Sequence, residues 1–140
     1  MKTKFDSVVK IKKQQVEKIE NDIQKINSSI KELQNKIEEL NKQFSSFSLP
    51  DKGTFAHISQ IKLQQNLLKN EIENLSSQIN MLNARKNDLL NELKKAHMDY
   101  EKMKYLQAEE LKKKVKEMRL KEAREMDEIA ILLRNQSESR

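Results

Sequence analysis

The sequence predicts an all-α protein, a long antiparallel two-helix coiled-coil hairpin whose second helix extends beyond the first. Three observations carry this. Apolar residues recur at alternating steps of four and three along two separate stretches of the chain. A single Pro and a single Gly stand in 140 residues, and both fall between those stretches. With 36% charged and 4% aromatic residues and a mean hydropathy of -0.90, the chain has too little apolar material for a layered core.

The first stretch reads Phe5, Val9, Lys12, Val16, Ile19, Ile23, Ile26, Ile30, Leu33, Ile37, Leu40, Phe44 and Phe47. Lys12 is its one polar member. About six continuous heptads exceed the three or four that mark a coiled coil. Thr3, followed three residues later by Asp6, offers an N-cap and a capping box just ahead of the stripe. A first helix is expected over about 4–47.

The stripe ends within the run from Ser45 to Thr54, which holds Pro50 and Gly53. Pro withholds a backbone donor and Gly tolerates positive φ, so residues 48–54 are expected to reverse the chain. Thr54 is placed to cap a second helix over about 55–134. Its stripe is Ile58, Ile61, Gln65, Leu68, Ile72, Leu75, Ile79, Leu82, Lys86, Leu89, Leu93, Ala96, Tyr100 and Met103. A turn centred near residue 51 sets residue i opposite roughly 102 − i, bringing Phe47 to Phe55, Ile30 to Ile72 and Phe5 to His97. Lys12, Gln65 and Lys86 are read as register devices, since a polar seam residue costs stability but disfavours slipped pairings.

After Met103 the strict alternation gives way to a looser period through Leu106, Leu111, Val115, Met118, Ala123, Met126, Ile129 and Leu133. The second helix is therefore expected to run on as an overhang of roughly 30 residues, about 45 Å. Pairs such as Glu117 with Lys121 would support it at i, i+4. Its polar tail, 135–140, is expected to fray. The whole chain, 1–140, reads as a single coiled-coil domain.

Absences narrow the function class. There is no cysteine, hence no disulfide framework and no thiolate metal site. The opening residues lack the apolar run of a signal peptide, and no stretch approaches the roughly 20 apolar residues of a membrane span. A soluble, unprocessed, cytoplasmic chain is the expectation. No Gly-rich phosphate loop or nucleophile motif is present, and the two histidines, His57 and His97, fall at opposite ends of the expected hairpin. No catalytic residue, cofactor or metal is expected.

The formal charge of +6 is uneven: residues 94–124 hold eleven Lys and Arg against six acids. Such a stripe is read as a solvated helix face, or as a surface for nucleic acid, an anionic membrane or an acidic protein. Interspersed glutamates and the lack of paired aromatic stacking groups stand against nucleic acid. Leu63 and Leu67, i and i+4 on the outer face with Ala56 above them, are apolar residues that miss the seam. They are read as scattered surface leucines or as a small docking patch.

Residues 118–134, MRLKEAREMDEIAILLR, with Met126, Asp127 and Glu128 at their centre and Ala130 two positions on, resemble the closing segment of the flagellar export protein FliJ family. The opening run from Phe5 to Lys18 and the charged stretch from Leu89 to Gln107 are similar to that family too. The resemblance implies a non-catalytic, stalk-like component of the flagellar type III export apparatus, peripheral to the inner membrane through its partners alone. It implies that both chain termini enter the ring of a FliI-type export ATPase and promote its assembly and activity. The ring-facing residues would be Phe5, Arg119, Lys121, Arg124, Met126, Asp127, Glu128 and Ile129. An FlhA-type export gate would be met by Leu63, Leu67 and Leu68, aliphatic here where the family has aromatic residues. Export chaperones are a further partner class. The rival readings are the equivalent stalk of an injectisome and a nucleic-acid-binding coiled coil.

Overall fold

The computed structural model describes residues 2–47 and 53–138. These form two helices, α1 (Asp6–Ser46) and α2 (Phe55–Glu138), with no strand among the described residues. Pro50 and most of the reversal expected at 48–54 lie outside the described residues, as do the last two residues of the expected tail. Gly53 is described, non-helical and exposed.

Helix α1 begins where the capping pair directs it. The Thr3 hydroxyl oxygen accepts from the Phe5 N–H at 3.3 Å, and the Thr3 N–H donates back to Asp6 Oδ2 at 3.1 Å. Asp thus serves at the third position of the box, where Glu is more usual. Thr54 acts similarly for α2, its hydroxyl oxygen accepting from the His57 N–H at 3.2 Å.

Contacts divide the chain into two compact units, Met1–Val16 with Ala96–Arg140, and Glu17–Lys95. In the first, the Lys2 carbonyl meets Lys114, Asp6 meets Gln107 and Lys12 meets Asp99. Numbers that rise on α1 while they fall on α2 define an antiparallel pair. In the second unit the Gln65 side chain reaches the Phe47 carbonyl, and Phe44 borders Ile72 in a shallow hollow with Asn41, Lys69 and Glu73. The all-α antiparallel hairpin with the longer second helix is therefore the fold.

The seam positions are those read from the sequence. Val16, Ile23, Ile30 and Leu89 are buried, and the other stripe residues up to Met103 are half-buried except Phe44, which is exposed near the end of α1. Half-burial is the norm here because two helices leave the flanks of each seam side chain in water. Lys12 lies partly along the seam, its ammonium 3.9 Å from the Asp99 carboxylate, so the stem is covered while the charge reaches the surface.

The register differs from the expected one. Asp6 meets Gln107 and not Ala96, Lys12 meets Asp99 and not Leu90, and Phe47 is level with Gln65 and not Phe55. Each partner lies about ten residues farther along α2, nearly three turns. Phe55 is consequently left 87% exposed. A turn centred on the Pro–Gly segment was the wrong reference, because α2 begins well before the level at which α1 ends.

The slide also moves the far end of the pairing. Half-buried positions continue past Met103 through Leu106, Gln107, Glu110, Lys114 and Val115, and the exposed overhang runs from Lys116 to Glu138. Glu117 and Lys121 do not form the ion pair expected of them; Lys112 with Glu109 and Arg134 with Glu138 do, at 3.6 and 3.3 Å. The helix continues to Glu138, four residues past the expected end at 134, with the Arg134 pair spanning that last turn.

Candidate functional site

In the first unit the start of α1 is tied to α2 by polar contacts. The Gln107 amide donates to Asp6 Oδ1 at 2.8 Å, the Thr3 hydroxyl donates to the same oxygen at 2.7 Å, and the Lys114 ammonium donates to the Lys2 carbonyl at 2.7 Å. These donors hold the Asp6 carboxyl down from 3.8 to about 2, Gln107 contributing most, then Thr3, with the nearby Lys114 charge adding and partial burial opposing. Phe5 is half-buried beside this cluster, and the Lys4 ammonium lies 5.4 Å from its ring centroid.

Beyond the tie, Arg119, Lys121, Arg124, Met126, Asp127, Glu128 and Ile129 all lie on the exposed overhang. Phe5 does not join them. Lys114 marks the end of α1 on α2, and Met126 stands twelve residues farther on, about 18 Å at 1.5 Å per residue. Met118, Met126, Ile129 and Leu133 are apolar and 49–68% exposed. A shallow hollow of about 450 Å³ opens at the root of the overhang, lined by Leu111, Val115 and Leu120 with Lys112, Lys116 and Arg119 around them.

In the second unit Leu63 and Leu67 project outward at 59% and 60% exposure, whereas Leu68 is half-buried in the seam. The three residues thus do not share one face: Leu68 helps hold the helix pair, and its neighbours are free to meet something else.

Gln107 and Lys114 carry the tie between the start of α1 and α2, and no motif in the sequence marks either for it. Lys114 is one charge of the basic stripe, and Gln107 closes a charged stretch. Nothing in the apolar period marks them, because their part depends on which turn of α2 lies opposite Thr3 and Asp6.

The described residues include no group of three or more His, Asp or Glu placed to hold a metal ion, and no helix of the described residues is long and apolar enough to cross a membrane. Neither the curated proteins nor the solved structures contain a match to this chain. The family model described as flagellar FliJ protein matches residues 1–139. The match takes in both helices, the capped start and the overhang with Met126, Asp127 and Glu128, and the chain belongs to the flagellar FliJ family, a component of the flagellar export apparatus.

Proposed function

We propose that the protein is the central stalk of the flagellar export ATPase, entering the ring of a FliI-type enzyme with the overhang and promoting its assembly and turnover. The observation that supports this reading is the contrast within α2: a closed seam as far as Val115, then exposed helix from Lys116 to Glu138 bearing both charges and apolar side chains. An antiparallel helix pair is stiff along its axis and has no rotational symmetry that would lock it to one subunit of a ring. Arg119, Lys121, Arg124, Asp127 and Glu128 supply small, exchangeable contacts, with Met126 and Ile129 as apolar anchors. Phe5 and the capped first turn stay at the base of this element, bracing it through Gln107 and Lys114.

The second half of the proposal links Leu63 and Leu67 to an FlhA-type export gate, Leu68 keeping the helix beneath them in register. Through such partners the protein would work on the cytoplasmic face of the inner membrane, with export chaperones as further contacts.

The test is steady-state ATP hydrolysis by the cognate export ATPase with and without this protein, repeated with the chain cut after Met118. Stimulation by the full chain and its loss on truncation are expected, with the gain falling as salt rises. Equal stimulation by the truncated chain would overturn the assignment of the overhang.

A further inference from the structure

Beyond Lys102, α2 sorts its charges by face. Taking about 100° per residue, Lys112, Lys116, Arg119 and Arg134 fall within roughly 50° of one line along the helix. Glu101 is the last acid on that line before them. No Asp or Glu between Lys102 and Arg134 enters the arc: Glu109, Glu122 and Asp127 flank it at roughly 70°, and Glu110, Glu117, Glu125 and Glu128 lie more than about 120° away. Tyr105, Met126 and Leu133 share the arc at 61–68% exposure, and Ala108, Ala123 and Ala130 leave the cations uncrowded.

The arc is open. The half-buried positions that face α1 here, Tyr100, Met103, Gln107 and Lys114, lie between roughly 110° and 170° round α2 from it, so the start of α1 sits on the side turned away. From Tyr105 to Arg134 the face runs for about 44 Å. The hollow at the root of the overhang opens on it, with Lys112, Lys116 and Arg119 around Leu111, Val115 and Leu120 and no acid in its lining.

Where the cations stand within the arc decides what fits it. Lys112 and Arg119 occupy its middle, and Val115 and Leu133 its edge. A partner helix packed here would bury two cations at the centre of the contact, where desolvation costs most. Duplex nucleic acid presents a charge per about 1.7 Å, far denser than four cations in about 44 Å, and Tyr105 alone would stack. A flat anionic lipid surface meets neither difficulty: the central cations reach phosphates without leaving water, and Tyr105 rests at headgroup level. The pairs of Lys112 with Glu109 and Arg134 with Glu138, at 3.6 and 3.3 Å, are exposed, so lipid phosphate replaces those carboxylates at little cost.

We propose that the face of α2 from Tyr105 to Arg134 binds an anionic lipid surface directly, bringing the chain to a membrane without a protein intermediary. With cations central and few apolar side chains, the contact is shallow, reversible and salt-sensitive. The inference rests on this face and not on the stalk reading, and its test contains no ATPase.

Flotation of the full chain with phosphatidylcholine vesicles, with and without an equal share of phosphatidylglycerol, is the experiment. Binding to the anionic vesicles alone is expected, falling steeply as salt rises to about 0.5 M. Lys112→Glu, Lys116→Glu and Arg119→Glu combined should lower the ratio of bound to free protein by at least about tenfold. Lys10→Glu, Lys13→Glu and Lys113→Glu combined change the net charge equally at three exposed positions off the arc, and should lower it less than about threefold. Failure to bind the anionic vesicles leaves the face to an acidic protein and overturns the proposal. So does equal binding to both kinds of vesicle, or an equal loss in the two triple variants.

Discussion

The Gln107 side-chain amide bonds across the helix pair to Asp6 Oδ1 at 2.8 Å, on the carboxylate that also closes the capping box with Thr3. One acidic side chain thus starts α1 and fixes which turn of α2 lies opposite.

The ionised form of Asp6 is what these donors favour, with its carboxyl at about 2 against an ordinary 3.8. Its contribution to stability is fully present above about pH 4 and is lost as pH falls through 2. Thermal melting followed by circular dichroism from pH 5 to pH 2 should show the native chain exceeding Asp6→Ala at pH 5, with the gap closing toward pH 2. A gap independent of pH would show that the carboxylate charge is not what ties the helices.

Register can be read directly, because the chain has no cysteine of its own. A short bifunctional thiol reagent should join cysteines placed at Lys12 and Asp99 far faster than cysteines placed at Lys12 and Leu90. The opposite order would restore the symmetric hairpin that the turn residues suggest.

Burial predicts unequal costs for leucines on one helix. Leu89 is 2% exposed, so Leu89→Ala should cost about 2–5 kcal/mol in urea unfolding. Leu63→Ala and Leu67→Ala, both more than half exposed, should each stay within about 0.5 kcal/mol and leave helicity intact. A large loss at Leu63 or Leu67 would make them packing residues and remove them as a docking face.

Gln65 should matter at the carboxyl end of α1, where its amide donates to the Phe47 carbonyl at 3.1 Å. Gln65→Ala removes that bond and should destabilise the chain by about 0.5–1.5 kcal/mol. Amide exchange in the last turn of α1 is the local readout, and unchanged exchange there would mean that water replaces the amide without loss.

Cutting the chain after Met118 should lower total helix signal yet leave the melting temperature of what remains almost unmoved, since every residue from Lys116 to Glu138 is exposed and buries nothing on the rest of the chain. A fall of many degrees would reveal packing by the overhang.

Much of this protein was legible in its sequence. Steps of four and three identified the seam residue by residue from Val9 to Met103, Thr3 and Thr54 marked the caps, and the Met126, Asp127 and Glu128 ending pointed to the family that the match over residues 1–139 shows. These features are local: helical period, capping and short motifs depend on residues within a few turns of one another. The level at which the helices meet is not local. A stripe with alternating steps superimposes on itself after a slide of a few steps, so many registers bury nearly the same apolar area. Contacts between distant residues choose among them, and Gln107 on Asp6, Lys114 on the Lys2 carbonyl and Gln65 on the Phe47 carbonyl exist in one register alone. That choice then decided where α1 stops, and so which residues of α2 are left for another molecule. The sequence by itself determined which side chains form the seam; only the tertiary structure decided which of them meet, because periodicity constrains the face of a helix and not its position along the axis.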